Sequence, residues 1–165
     1  MTIIANRWII LLVKEGVPKM NRFDEKKFFQ TNSDLHVSSD DLELHVGLEE
    51  RPTRGALAFK SVQVLMSERK ESALFGRPGS KRYEKTLKRT ADLGQIAELI
   101  AADIVGSRLL LRCGRGYNLF PVLGKNDVLC VGSLLFNNAS DRWNVTVNPC
   151  RPDHKISKGS HIFWS

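Results

Sequence analysis

Several signatures of common enzyme and export classes are missing from this 165-residue chain. It holds no G-x-S-x-G elbow, no Walker loop, no dinucleotide fingerprint and no zinc-ligand spacing, so hydrolase, NTPase and dehydrogenase readings have no positive support. Cysteines are few: Cys113, Cys130 and Cys150 stand far apart, form no C-x-x-C pair and are odd in number. Neither a disulfide framework nor a zinc knuckle is indicated, and a reducing, cytoplasmic setting is the simpler expectation. No run approaches the roughly 20 apolar residues of a membrane span. The apolar segment from Trp8 to Val13 is shorter than a signal-peptide core and is followed by Lys14-Glu15-Gly16; it reads as a buried strand. No membrane partner and no cofactor are expected.

What is present is the composition of a folded domain. An apolar fraction of 42% beside 26% charged residues belongs to a globular chain, and this length buries a self-sufficient core. One domain over residues 1–165 is expected, with residues 1–19 as an N-terminal extension or an edge strand.

Charge is both net positive, +7, and segregated. Between Arg22 and Glu50 eight acids face three bases, whereas between Ser67 and Thr90 eight bases face three acids, and the tail from Ser107 repeats that basic ratio. Clustered cations concentrate polyanions and speed encounter, and nucleic acid is the commonest polyanionic partner.

The pattern predicts an α+β fold, a mostly antiparallel sheet of about six or seven strands packed against a helical segment near residues 81–105. Residues 20–29 suggest a short helix with aromatic anchors. Asp41 to Val46 alternates polar and apolar residues, Leu57 to Met66 is a longer strand-like run, and the turn residues between them suggest an antiparallel pair. Ser80 is a good N-cap for a helix whose apolar positions are Tyr83, Leu87 and Ala91. Ile96, Leu99, Ile100 and Ile104 make a second stripe, Gly94 interrupts, and Gly106 closes it. Beyond lie four short apolar runs, 109–111, 117–123, 128–136 and 143–147, separated by hairpin-like turns, which predict a meander. Residues 149–158 read as a loop, and Ile162 to Trp164 as an apolar end docked on the core.

Four local patterns have chemical interest. Gly76-Arg-Pro-Gly79 has the G-x-x-G form of loops that clamp a nucleic-acid backbone in KH domains and precedes a basic helix; Pro78 removes one N–H and the flanking residues do not match, so no family follows. Arg112, Arg115 and Tyr117 bracket a Gly-Arg-Gly turn, joining cations to an aromatic face that can stack a base. Glu68-Arg-Lys70, with Asp40 or Asp41, has the acid and E-x-K arrangement of metal-dependent endonucleases. His36-Val-Ser38 fits the element of two-histidine phosphoesterases, but no second copy exists to supply the other half of that chemistry.

The leading expectation is a non-catalytic module that binds RNA or single-stranded DNA. Its phosphate contacts would be Lys81, Arg82, Lys85, Lys88 and Arg89, with Arg77, Arg112, Arg115 and Tyr117 as secondary contacts. A module that docks an acidic protein, as an inhibitor or assembly subunit, is the first alternative, and a metal-dependent nuclease the second.

Overall fold

The computed structural model describes residues 23–33, 35–37, 42, 44–48, 50–51, 60–64, 68–102, 111 and 116–165. The strand expected over residues 7–13, the 1–19 extension, and Arg112, Arg115, Asp40, Asp41, Ile104 and Gly106 lie outside them.

The chain has the expected α+β character. Its elements run β1 (Phe23–Asp24), α1 (Glu25–Thr31), β2 (Leu35–Val37), β3 (Glu50–Arg51), β4 (Lys60–Gln63), β5 (Glu68–Lys70), α2 (Glu71–Phe75), α3 (Lys81–Leu87), α4 (Leu93–Ala102), β6 (Asn118–Leu123), β7 (Leu129–Asn137), β8 (Arg142–Pro149), β9 (Lys155–Ser157) and β10 (His161–Trp164). Six strands form one sheet in the order β2-β8-β7-β6-β10-β4, while β1 pairs with β3 and β5 with β9.

Of the four runs expected as a meander, the last three are present as β6-β7-β8, antiparallel throughout, while residues 109–110 of the first lie outside the described residues. The sheet as a whole is mixed, because β2 joins β8 and β10 joins β6 in parallel. The expected pairing of 41–46 with 57–66 does not form; β4 pairs with β10 instead. Residues 42, 44 and 45 are helical, and Val46 and Gly47 both donate backbone N–H groups to the Leu42 carbonyl. Leu42 and Val46, four apart, are buried, whereas Leu44 is 66% exposed. A helical turn separates those leucines, where a strand would have put all three side chains on one face.

Alternation along the strands sends side chains to two different layers. On one face Phe120, Val122, Cys130, Leu134, Trp143, Val145 and Val147 pack with Leu93, Ile96, Ala97 and Ile100 of α4 and with Phe29 of α1. Each fully buried side chain of this size contributes roughly 1.5–3 kcal/mol. Phe120 stacks on Phe163 at 4.9 Å between centroids, which ties the centre of the sheet to its C-terminal strand. On the other face Leu119, Leu129, Val131 and Ile162 are covered by Phe75 of α2, Tyr83 and Leu87 flanking the turns of α3, and Ile156 of β9. This second cover reaches across part of the sheet; among the described residues, the remainder of that face forms the floor of a cleft.

The two helices expected between 81 and 105 are present, but the break is not at Gly94, which is buried inside α4. It falls at residues 88–92, where Ala91 leaves helical geometry to donate its N–H to the Pro121 carbonyl and bridge to Val122. Asp92 then opens α4 with a capping box: Gln95 N donates to Asp92 Oδ1 at 2.7 Å and Asp92 N donates to Gln95 Oε1 at 3.0 Å. Two otherwise orphaned donors are thereby satisfied, and Gly94 lies inside the turn they enclose.

Candidate nucleic-acid interface

The G-x-x-G segment forms the loop between α2 and α3. Gly76 closes α2 with φ 91°, and a Cβ there would stand 2.3 Å from the Tyr83 nitrogen, so the loop folds back closely on the helix that follows. Ser80 caps α3 as expected. Its Oγ accepts from Tyr83 N and from Arg77 N, each at 3.2 Å, so one hydroxyl pins both the helix start and the loop.

Beneath this loop is an open hollow of about 510 Å³ lined by Arg69, Lys70, Ser72, Ala73, Gly76, Arg77, Ser80 and Arg82. Four cations surround it from three directions: Arg69 and Lys70 from β5, Arg77 from the loop and Arg82 from α3. Arg82 Nη1 donates to the Ala73 carbonyl, which holds the guanidinium against the wall. Lys70 Nζ is 3.3 Å from Asp153 Oδ1, an exposed pair that contributes little to stability but steadies the lysine at the rim.

The structure therefore brings Arg77 and Arg82 together and adds Arg69 and Lys70, which the sequence offers only as members of a charge run. Lys81, Lys85 and Lys88 are exposed on and beyond α3 without lining the hollow. Arg89 is half-buried, its guanidinium 4.8 Å from the Trp164 ring centroid, so part of its role is packing. Arg112 and Arg115 lie outside the described residues.

Tyr117 is 40% exposed and stands at a different depression, the cleft of about 480 Å³ on the open half of the sheet. Its position is fixed from both sides: Tyr117 N donates to Ser160 Oγ at 3.2 Å and its carbonyl accepts from His161 N at 2.8 Å. The floor of the cleft is the outward row Asn144, Thr146 and Asn148 of β8 beside Val131, Ser133 and Leu135 of β7. One end is closed by Glu71, Arg151, His154 and Lys155.

Glu71 organises that end. It is 5% exposed at the start of α2, and its two oxygens accept from Arg151 N at 2.6 Å and meet His154 Nδ1 at 2.7 Å. Cys150 is adjacent, and its thiol is pushed up to about 12 by burial first, then by the charge of Glu71 and a hydrogen bond to it. Such a thiol stays protonated near neutral pH, and Cys150 packs and hydrogen-bonds beside Glu71. Burial likewise raises the thiol of Cys130.

Sequence reasoning missed this cleft end because Glu71 and His154 are 83 positions apart and residues 149–158 read as a plain loop. That segment instead contains β9, paired antiparallel with β5 through Lys70↔Lys155 and Arg69↔Ile156. Glu68 and Lys70 of the E-x-K triplet lie on β5. Among the described residues no three His, Cys, Asp or Glu side chains are grouped to hold a metal ion, and no helix is long and apolar enough to cross a membrane. His36 is an exposed residue on β2.

No protein-family model matches the chain, and comparison with curated proteins and with solved structures finds none significantly similar to it.

Proposed function

We propose that this protein is a non-catalytic module that binds single-stranded nucleic acid, RNA or DNA, by its phosphate backbone. The observation that carries this reading is the hollow under residues 76–79, lined by Arg69 and Lys70 of β5, Arg77 of the loop and Arg82 of α3. Converging guanidinium groups match the geometry of phosphate oxygens and form charge-assisted hydrogen bonds with them. Lys81, Lys85 and Lys88 extend the positive field along α3 and supply further, geometrically looser contacts. Cations gathered at one hollow, with no element placed to enter a duplex groove among the described residues, favour a flexible strand.

The test is a titration of nuclease-treated protein against labelled single-stranded RNA, single-stranded DNA and duplex DNA at two salt concentrations. Binding to single strands with a steep salt slope is expected, and Arg77→Glu with Arg82→Glu abolishes it. Unchanged binding after replacing Lys81, Arg82, Lys85 and Lys88 with glutamate would show that this face is not the contact surface.

One observation favours a second reading, a module docking an acidic protein. Leu123 and Val128, 41% and 43% exposed, flank the β6–β7 turn, and the His45 carbonyl next to exposed Leu44 lies against Gly124 in that turn. Exposed apolar groups beside a basic surface suit a protein partner. A salt-sensitive protein complex that survives nuclease treatment, with no oligonucleotide binding, would decide for it.

A further inference from the structure

The open half of the sheet lies next to the basic hollow, separated from it only by the β5–β9 ribbon. Arg69 and Lys70 line the hollow, while their pairing partners Ile156 and Lys155 line the cleft. Paired strands are about 5 Å apart, so a flexible strand whose backbone rests in the hollow crosses a narrow ridge to enter the cleft. Glu71, the residue after Lys70, is part of the cleft wall, whereas Ser72 is part of the hollow.

We propose that the cleft on the open sheet face takes one nucleotide unit of that same strand, its phosphate at the Arg151, His154 and Lys155 end and its base over the sheet toward Tyr117. This rests on the nucleic-acid reading above and adds base recognition to backbone contact.

The chemistry of the cleft matches the parts of a nucleotide in order. At the closed end Glu71 holds His154 Nδ1, which leaves Nε2 without a hydrogen-bond partner among the described residues, beside the exposed Arg151 and Lys155. When both of its nitrogens carry a proton, an imidazole so held presents an Nε2–H donor next to two cations, which is a phosphate-binding arrangement. Along the floor, Ser133 Oγ and Thr146 Oγ1 satisfy one another at 2.7 Å. The Asn144 and Asn148 amides and the Tyr117 hydroxyl make no side-chain hydrogen bond among the described residues. A side-chain amide offers one donor and acceptor pair, which is what the edge of a base requires. Asn144 and Asn148 are four strand residues apart, about 13 Å. That span separates a base at the Tyr117 end from a phosphate at the His154 end. Leu119, Val131 and Leu135 give the base faces an apolar bed, and Tyr117 gives them a ring to stack on. The volume, about 480 Å³, is that of a pocket for one ligand of drug or nucleotide size.

The experiment is a binding titration of the full chain with labelled single-stranded homopolymers of each base, as RNA and as DNA, in wild type, Tyr117→Ala, Tyr117→Phe, Asn144→Ala and Arg77→Ala. Circular dichroism establishes that each variant is folded. The wild type is expected to prefer one base. Tyr117→Ala should weaken binding about tenfold with the salt slope unchanged, Tyr117→Phe should retain most affinity, and Asn144→Ala, at the Tyr117 end of the floor, should flatten the base preference. Arg77→Ala should reduce the salt slope and leave the preference intact. The RNA and DNA arms identify which strand is the natural ligand class. Equal binding of all homopolymers by wild type, Tyr117→Ala and Asn144→Ala, with Arg77→Ala still weakened, overturns the nucleotide cleft and leaves the backbone reading standing. No binding of any strand at low salt overturns both.

Discussion

Glu71 Oε1 stands 2.7 Å from His154 Nδ1, a contact between residues 83 positions apart that joins the first turn of α2 to the segment before β9. The same carboxylate accepts from the Arg151 backbone at 2.6 Å, so one nearly buried side chain holds the connection between β8 and β9 at two points. Removing it leaves a backbone N–H and an imidazole N–H without an acceptor, and an unsatisfied donor of this kind costs about 1–3 kcal/mol. Glu71→Ala is therefore expected to lower the thermal midpoint by several degrees, and Glu71→Gln by less, since an amide oxygen can still take the Arg151 N–H. Equal midpoints for wild type and Glu71→Ala in a thermal melt would contradict this.

Cys150 makes stability depend on alkaline pH. Burial and the Glu71 charge push its folded pKa up to about 12, above the 9.0 of an unfolded thiol, so between those limits the unfolded chain loses a proton that the folded chain keeps. Stability contributed by the buried thiol is complete below pH 9 and is lost as pH rises toward 12. Urea unfolding across that range should show a fall that is shallower in Cys150→Ala. Thiol labelling at pH 8 should be slow at Cys150 and faster in Glu71→Gln, where the opposing carboxylate charge is gone.

The loop between α2 and α3 separates two glycines with different needs. Gly76 has φ 91° and no room for a Cβ, whereas Gly79 has φ 81° with nothing within 4 Å of the added carbon. Gly76→Ala incurs both strain and a clash with backbone, and is expected to destabilise by well over the 1–2 kcal/mol of left-handed strain alone. Gly79→Ala should lose only about that strain. Ser80→Ala removes the acceptor for Tyr83 N and Arg77 N and should cost about 1 kcal/mol. Denaturant midpoints ranked Gly76→Ala below Gly79→Ala and Ser80→Ala would agree; the reverse order would not.

The basic residues should divide by position. Arg77→Ala and Arg82→Ala, in the hollow, are expected to weaken single-strand binding more than Lys81→Ala or Lys85→Ala on the open face of α3. Each lost phosphate contact should flatten the plot of log affinity against log salt by about 0.7. Arg89→Ala should show up in the melt, through loss of its stacking on Trp164, with a smaller effect on binding. Uniform losses across all five would mean that general attraction governs and the hollow has no special place.

How much of this was legible varies with the range of the interactions. β6 and β7 are short apolar runs and β8 alternates, all bounded by turn formers, and that local pattern located them to within two residues. The Ser80 cap and the Ile96, Leu99 and Ile100 stripe of α4 are local in the same sense. At 41–46 an alternation was present but misleading. Leu42 and Val46 also fit a spacing of four, and only the choice of which leucine was buried separated helix from strand. The Asp92 to Gln95 capping box was readable and marks the α4 start better than Gly94 marks a break.

The sequence by itself determined a basic, cysteine-poor α+β domain, the helical segment after Ser80, the meander at its end and the exposed cations of residues 77–88. Those follow from neighbours within a few positions, where periodicity, capping and charge act directly. Tertiary structure alone decided that β10 inserts beside β6 in parallel and that β5 pairs with β9 across a long stretch of chain. It also decided that Arg69 and Lys70 join Arg77 and Arg82, and that Glu71 reaches His154. The physical reason is that sheet partners and cleft walls are chosen by which apolar faces can be buried together. That choice sums over the whole core and leaves no mark in any short stretch of residues.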